Sequence, residues 1–262
     1  MRFFNTPYDI PDPAFGTRIF RRRIRVEKRA DKRGEVIVAG LEDPIHACRL
    51  SMVVEDGILK EIEGRWERHP NRQCLGAARQ LQAFIGKSMT AERDIYRAYN
   101  DSRQQCTHFH DLLGIAFTEA TRDQPARQYD LIIPEAVGKT TTAELQIDGV
   151  TALRWEINDT HVVGPGELKN LPLEKGFGRW VAATYSADMI DAAHILQMGI
   201  YVSRASAVDF GTMAKVYPDK VLTPPALAGA CYAMQPERNH LALPAYTIRD
   251  FTHSADSMLS FL

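Results

Sequence analysis

Apolar and polar positions alternate along residues 17–68 in four short runs, each closed by a turn signal, which is the pattern of half-buried β-strands. Leu50, Met52 and Val54 alternate with polar neighbours up to Glu55-Asp56-Gly57, and Ile58 and Ile62 resume beyond it, so a hairpin is predicted there. Asp31-Lys-Arg-Gly34 and Glu42-Asp43-Pro44 punctuate the other runs, giving an antiparallel meander. The first strand carries Arg18, Arg21, Arg22, Arg23 and Arg25 beside Ile19, Phe20, Ile24 and Val26. Flanking acids cancel that charge, and the run reads as a solvated sheet face rather than a nucleic-acid footprint.

Between Cys74 and Lys87 the period becomes helical, with Ala77, Ala78, Leu81, Phe84 and Ile85 on one face and Gly86 at the stop. A second helix is predicted over Ala91 to Tyr99, and a third from near Cys106 to about Ala120 that buries Phe109, Leu112, Leu113, Ala116 and Phe117. Strands followed by helices is the order of an α+β fold with helices on one face of an antiparallel sheet. The polar stretch Thr121 to Arg127 marks a boundary between a sheet-plus-helix half, 1–124, and a C-terminal α+β half, 125–262. In the second half, strands are predicted at Leu131-Ile-Ile133, Glu144 to Ile147 and Val150 to Ile157, with an Asp148-Gly149 hairpin turn. Ser186 is placed to cap a helix running toward Arg204.

Composition narrows the function. Apolar residues make up 45% and charged residues 25%, the ordinary globular balance, and 32 Lys plus Arg stand against 33 Asp plus Glu. No net field draws the chain to nucleic acid or anionic lipid, so a small-molecule partner is expected. The first residues hold no run of signal-peptide character and no stretch is long and apolar enough to span a membrane; a soluble, cytoplasmic protein is expected. Cys48, Cys74, Cys106 and Cys231 are widely spaced, which predicts reduced thiols and no disulfide. The oligomeric state stays open between monomer and homodimer.

The densest polar cluster is Cys106-Thr-His-Phe-His-Asp111, at the start of the third predicted helix. A helix N-terminus favours thiolate over thiol and neutral imidazole over imidazolium, and both changes favour metal binding. Against that stands a structural reading in which Cys106 fills core and one histidine is exposed. His46, in Glu42-Asp43-Pro-Ile-His46, sits at a strand turn, and Cys74, after His69-Pro-Asn-Arg-Gln, opens the first helix. Side chains at turns and helix starts are free to converge. No Gly-x-Gly-x-x-Gly, Walker loop, His-Glu-x-x-His or Gly-x-Ser-x-Gly occurs, and the Gly138-Lys-Thr-Thr141 run lacks the first Walker glycine, Ile133 standing in its place. No nucleotide or flavin cofactor is expected; the alternatives are no cofactor or zinc.

From Asp43 to Ala120 the chain resembles the iron–sulfur cluster scaffold proteins of the NifU/IscU type. The resemblance lies in the strand from Cys48, the Asp-Gly turn, the strand to Trp66, Cys74 opening a helix that ends at Ile85-Gly-Lys87, and His108 opening the helix Leu112-Leu-Gly-Ile-Ala116. It implies a shared fold and a cluster or zinc cage in which Cys74 and His108 match and His46 occupies the aspartate position. Pro44 stands at the first cysteine position, no cysteine follows the histidine, and Cys106 precedes it. Over nearly its whole length the chain also resembles a bacterial family known only as a domain of unknown function. That likeness rests on Leu41-Glu-Asp43, the Cys74 helix, Cys-Thr-His108, Gly229-Ala-Cys231-Tyr-Ala-Met-Gln-Pro236 and Arg249-Asp-Phe251. It implies that both halves work together.

Two functions follow. The first is an enzyme with acid–base chemistry in a pocket between the halves, a carbon–carbon or carbon–oxygen lyase before a hydrolase, acting on a small, partly apolar or aromatic metabolite. Its residues are Asp43, His46, His108 and His110, with Tyr232 and Arg238 binding substrate. The second is a zinc or iron–sulfur carrier that adds Cys74 and Cys106 as ligands. Tyr232 and Arg238 also admit a structural role, as a capped loop with a surface ion pair.

Overall fold

Among the described residues nine strands form one antiparallel sheet, in which the first four in chain order lie in reverse sequence beside the fifth to ninth, the first strand pairing with the fifth. The computed structural model describes residues 7–262 other than 33, 91–98, 100, 137, 169, 221–226, 242 and 246–247. The strands are β1 (Ile19–Asp31), β2 (Gly34–Glu42), β3 (Ala47–Glu55), β4 (Ile58–Arg68), β5 (Ala126–Pro134), β6 (Thr140–Ile147), β7 (Val150–Asn158), β8 (His161–Gly164) and β9 (Leu171–Pro172). The predicted meander over 17–68 is β1 to β4. Both Asp-Gly turns take the left-handed backbone that a two-residue hairpin needs, with φ of 51° and 72° at Asp56 and Gly57 and of 50° and 83° at Asp148 and Gly149. Because β1 also pairs with β5, Phe20 opposite Ile133, the sheet runs unbroken past residues 121–127.

One face of β1–β4 is covered by α1 (Thr107–Ala120) and by a long 3-10 helix, Arg72–Phe84. Phe20, Ile24, Ile37, Ala39, Leu41, Cys48, Leu50 and Met52 point into this layer and meet Leu81, Phe84, Phe109, Leu112, Leu113 and Phe117 in one core. In the 3-10 helix Cys74, Ala77, Leu81 and Phe84 are buried, while Ile85 is 42% exposed where the chain turns out of the helix. The predicted Ala91–Tyr99 helix lies largely outside the described residues. In the second half, α2 (Phe177–Thr184) and α3 (Ala187–Ser203) cover β5–β7, where Leu153, Trp155 and Ile157 face inward. Ser186 is the N-cap position of α3, but its side chain makes no capping hydrogen bond, contrary to expectation. β8, β9 and α2 went unpredicted because their apolar runs are too short to show a period.

The opposite face of β1–β3 is covered by the last residues of the chain. Arg21 donates to the carbonyl of Thr252, Arg23 to that of Ala255 and Arg49 to that of Phe261. Leu262 sits so close over Gly40 that a Cβ there would meet its Cδ1 at 2.7 Å. The arginine run of β1 is therefore not a solvated face: Arg21 and Arg23 lie under the tail, and Arg22, on the face with Phe20 and Ile24, is 2% exposed inside the helix-covered layer. Among the described residues no helix is long and apolar enough to cross a membrane.

Candidate active site at the β2–β3 turn

The chain leaves β2 at Glu42 and re-enters at Ala47, so Asp43-Pro44-Ile45-His46 forms a tight turn at the end of the sheet. Asp43 builds it. Its backbone N–H donates to the carbonyl of His46 (2.8 Å), and its Oδ1 accepts from the backbone N–H of Ile45 and of His46, both at 2.8 Å. An aspartate that bonds the backbone two and three residues on favours such a turn locally. Asp43 Oδ1 also faces His46 Nδ1 at 3.1 Å, and Asp43 Oδ2 receives Arg22 in a fork, from Nε at 3.1 Å and Nη2 at 2.6 Å.

Asp43 is fully enclosed. Burial alone would push its carboxyl up, but the nearby His46 and Arg22 charges and the His46 hydrogen bond overcome that and hold it well below the usual carboxylate range. An ionised carboxylate only accepts, so His46 donates to it from Nδ1. His108, the second residue of α1, stacks on His46 with ring centroids 3.7 Å apart and planes 26° from parallel. Its Nε2 lies 3.4 Å from Arg22 Nη2; a guanidinium only donates, so Nε2 is the acceptor and Nδ1 carries the proton. Burial, then His46 and Arg22, hold the His108 imidazole well below its ordinary value, in the neutral form. Trp66 closes the site, with its ring 6.3 Å from His46, 6.5 Å from His108 and 6.1 Å from His69, whose Nδ1 bonds the carbonyl of Asn71. Trp66, His69 and His108 are all partly accessible.

Asp43, His46 and His108 thus converge, and among the described residues their ligand-type atoms all lie within 4.8 Å of one another. His110 does not join them. It lies two residues further along α1 and turns into the core, 6.2 Å from the ring of Phe84. Cys74 and Cys106 do not join them either. Both are buried free thiols, and burial pushes Cys74 up to about 12 and Cys106 well above the ordinary thiol value, the reverse of the thiolate expected at a helix start. Cys48 and Cys231 are free as well.

Tyr232 and Arg238 have a structural arrangement of their own. The Arg238 guanidinium lies 4.0 Å over the Tyr232 ring and donates to the Tyr232 carbonyl and to Gln104 Oε1, while Glu237 pairs with it at 3.0 Å. A small cavity of about 30 Å³ lies between the halves, with Arg18, Glu135, Ile45 and Phe210 in its wall. Neither His46 nor His108 lines it. Sequence reasoning did not assign Arg22, Arg68, Trp66 or His69 to the site, although it named His69 before Cys74, Trp66 at a strand end and Arg22 in the arginine run. Arg22 had a signal, since it shares the inward parity of Phe20, Ile24 and Val26.

Residues 22–122 match the model of a family described as a protein of unknown function (DUF2889). The match begins at Arg22, spans Asp43, His46 and His108, and ends two residues past α1, short of the Cys231 and Phe251 segments. No curated protein matches the chain.

Proposed function

We propose that the protein is a cytoplasmic enzyme that moves a proton on a small, partly apolar or aromatic metabolite, with His46, bonded to Asp43, and His108, held neutral, as the pair of rings that exchange it. The observation that carries this reading is the stacked imidazole pair, one ring bonded to a buried carboxylate and the other held neutral beside Arg22. Two imidazoles in contact under one guanidinium repel a second positive charge, so a proton on one ring favours the bare state of the other. A reaction that takes a proton at one atom and returns it at another needs that asymmetry. Lysis of a carbon–carbon or carbon–oxygen bond is the reaction class, with hydrolysis second, and the accessible rims of Trp66, His69 and His108 offer aromatic surface to the substrate.

The test is a panel of small hydroxy and keto acids bearing aromatic or branched groups, incubated in deuterated water and read by NMR for exchange and for unsaturated products. Exchange by the wild type that His46→Gln and His108→Gln both abolish supports the reading. Equal exchange in those variants sinks it.

The close approach of the Asp43, His46 and His108 ligand atoms favours a second reading, a zinc site. Its geometry is poorer. Imidazole lone pairs lie in the ring plane, so rings stacked 26° from parallel do not aim at one ion about 2.0–2.1 Å from each nitrogen. Asp43 already accepts from five donors, and the Arg22 cation stands where the metal charge would sit. The cluster-scaffold likeness adds Cys74, whose raised thiol opposes ligation. Zinc titration by calorimetry separates the two, since acid–base chemistry predicts no tight binding lost in His46→Gln.

A further inference from the structure

The back of the Asp43–His46 turn leads to the C-terminal segment. Arg68 Nη2 donates to Glu42 Oε1 (3.0 Å), to the carbonyl of Asp43 and, at 3.4 Å, to the carbonyl of His46. A single nitrogen therefore clips both ends of the turn. The other Glu42 oxygen accepts from the backbone N–H of Leu259 at 2.6 Å, and the Arg68 guanidinium lies 5.7 Å over the ring of Phe251. The Arg249 N–H donates to the carbonyl of Pro44 within the turn itself, at 3.0 Å. Leu259 holds φ at 62°, a left-handed backbone that a non-glycine side chain adopts only where its surroundings compel it. Here the Leu262 N–H closes the turn onto the Leu259 carbonyl and the Leu259 N–H is taken by Glu42.

We propose that residues 249–262 complete the site: the docked C-terminal segment sets the orientation of the Asp43–His46 turn through Glu42 and Arg68, with Glu42, Arg68 and Phe251 as positioning residues. Glu42 is 1% and Arg68 7% exposed, and because the buried Arg68 Nε finds no hydrogen-bond partner among the described residues, the geometry of this enclosed ion pair depends on the contacts it does make. The tail supplies two of them, a peptide N–H to Glu42 and an aromatic face to Arg68. Without them Arg68 loses its register on the two carbonyls, and with it the angle at which Asp43 Oδ1 meets His46 Nδ1. The catalytic consequence rests on the acid–base reading; the positioning does not.

The full-length protein labelled at histidine tests this by NMR, which reads the rings without any turnover. Arg68→Lys keeps a charge beside Glu42 but loses the planar guanidinium that sets Nη2 on three oxygens while lying over Phe251. Phe251→Leu keeps both charges and removes only the aromatic face. In each, the expected result is an unchanged far-ultraviolet circular dichroism spectrum, loss or broadening of the His46 Nδ1–H resonance, and a shift of about half a pH unit or more in the titration of His46 or His108. Folded variants whose histidine resonances and titrations match the wild type overturn the proposal. If Arg68→Lys does not fold, Phe251→Leu decides alone. Should the positioning hold while His46→Gln leaves turnover intact, the acid–base reading fails and the clip stands.

Discussion

The two stretches of the sheet have the same construction and different interiors. β1–β4 under α1 and β5–β7 under α2 and α3 each bury large aromatic side chains completely, Phe84, Phe109 and Phe117 in the first and Trp155 and Phe177 in the second. In β7 the charged residues Arg154 and Glu156 face outward and the inward positions are apolar. In the first stretch Arg22, Asp43 and His46 are enclosed within the helix-covered layer, and Glu42 and Arg68 beneath the tail. Enclosed charge weakens a fold unless it is fully paired. Asp191 and Glu135 are buried in the second stretch too, but the first gathers five such side chains around one turn, and gatherings of that kind concentrate where chemistry is done.

The largest effect expected is on activity. His46→Gln and His108→Gln should lower turnover roughly 10²–10⁴-fold, whereas His161→Gln, at an exposed position of β8, should leave it unchanged. Equal losses in all three would erase the distinction between the regions.

Stability comes next. Arg22→Met leaves the Asp43 carboxylate enclosed without its main cation and should cost about 3–5 kcal/mol in denaturant unfolding. Adding Asp43→Asn should recover part of that loss, because it removes the unpaired charge and keeps an Oδ1 acceptor for the Ile45 and His46 N–H groups. Trp155→Ala should cost a similar amount, about 3–5 kcal/mol, but by opening a cavity, and no second substitution of a charged residue should restore it. A single Arg22→Met cost under about 1 kcal/mol would show that this pair behaves like a surface one.

A smaller effect concerns pH. The His108 imidazole is depressed in the fold, so below about pH 6.5 the unfolded chain takes up a proton that the folded one refuses. Stability should therefore fall as pH drops from about 6.5, by up to about 1.4 kcal/mol per unit, until the depressed value is reached. His108→Gln should flatten that slope. The Asp43 carboxyl, also depressed, adds stability that is whole above about pH 4 and is lost only in stronger acid. Unfolding curves between pH 5 and pH 8 separate the two.

The smallest effect belongs to Arg238→Ala. Removing a partly accessible cation from the Tyr232 face should cost about 1 kcal/mol and leave the His46 and His108 resonances in place. A loss of activity at unchanged stability would return Tyr232 and Arg238 to the site.

Much of the layout was legible because it is made by local physics. Alternation of apolar residues, two Asp-Gly turns and a 3.6-residue period each act over a few neighbours, and they specified the antiparallel meander, α1 and the hairpin of β6 and β7. Asp43 and His46 were legible as turn residues as well, since an aspartate that bonds the backbone two and three residues on is a local turn former. The partners of that turn were not. The register between β3 and β4 shifts at Ala47/Cys48, so Trp66 pairs with Cys48 on the helix-covered face, whereas Arg68, two residues on, pairs with Ala47 on the tail-covered face. A bulge turns a side chain to the opposite face with no mark in the sequence. The stacking of His108 on His46, the retreat of His110 and of Cys74 and Cys106 into the core, and the docking of the last residues behind Glu42 all depend on how distant elements pack, and only the tertiary structure decides them because packing is a property of surfaces brought together rather than of neighbours along a chain.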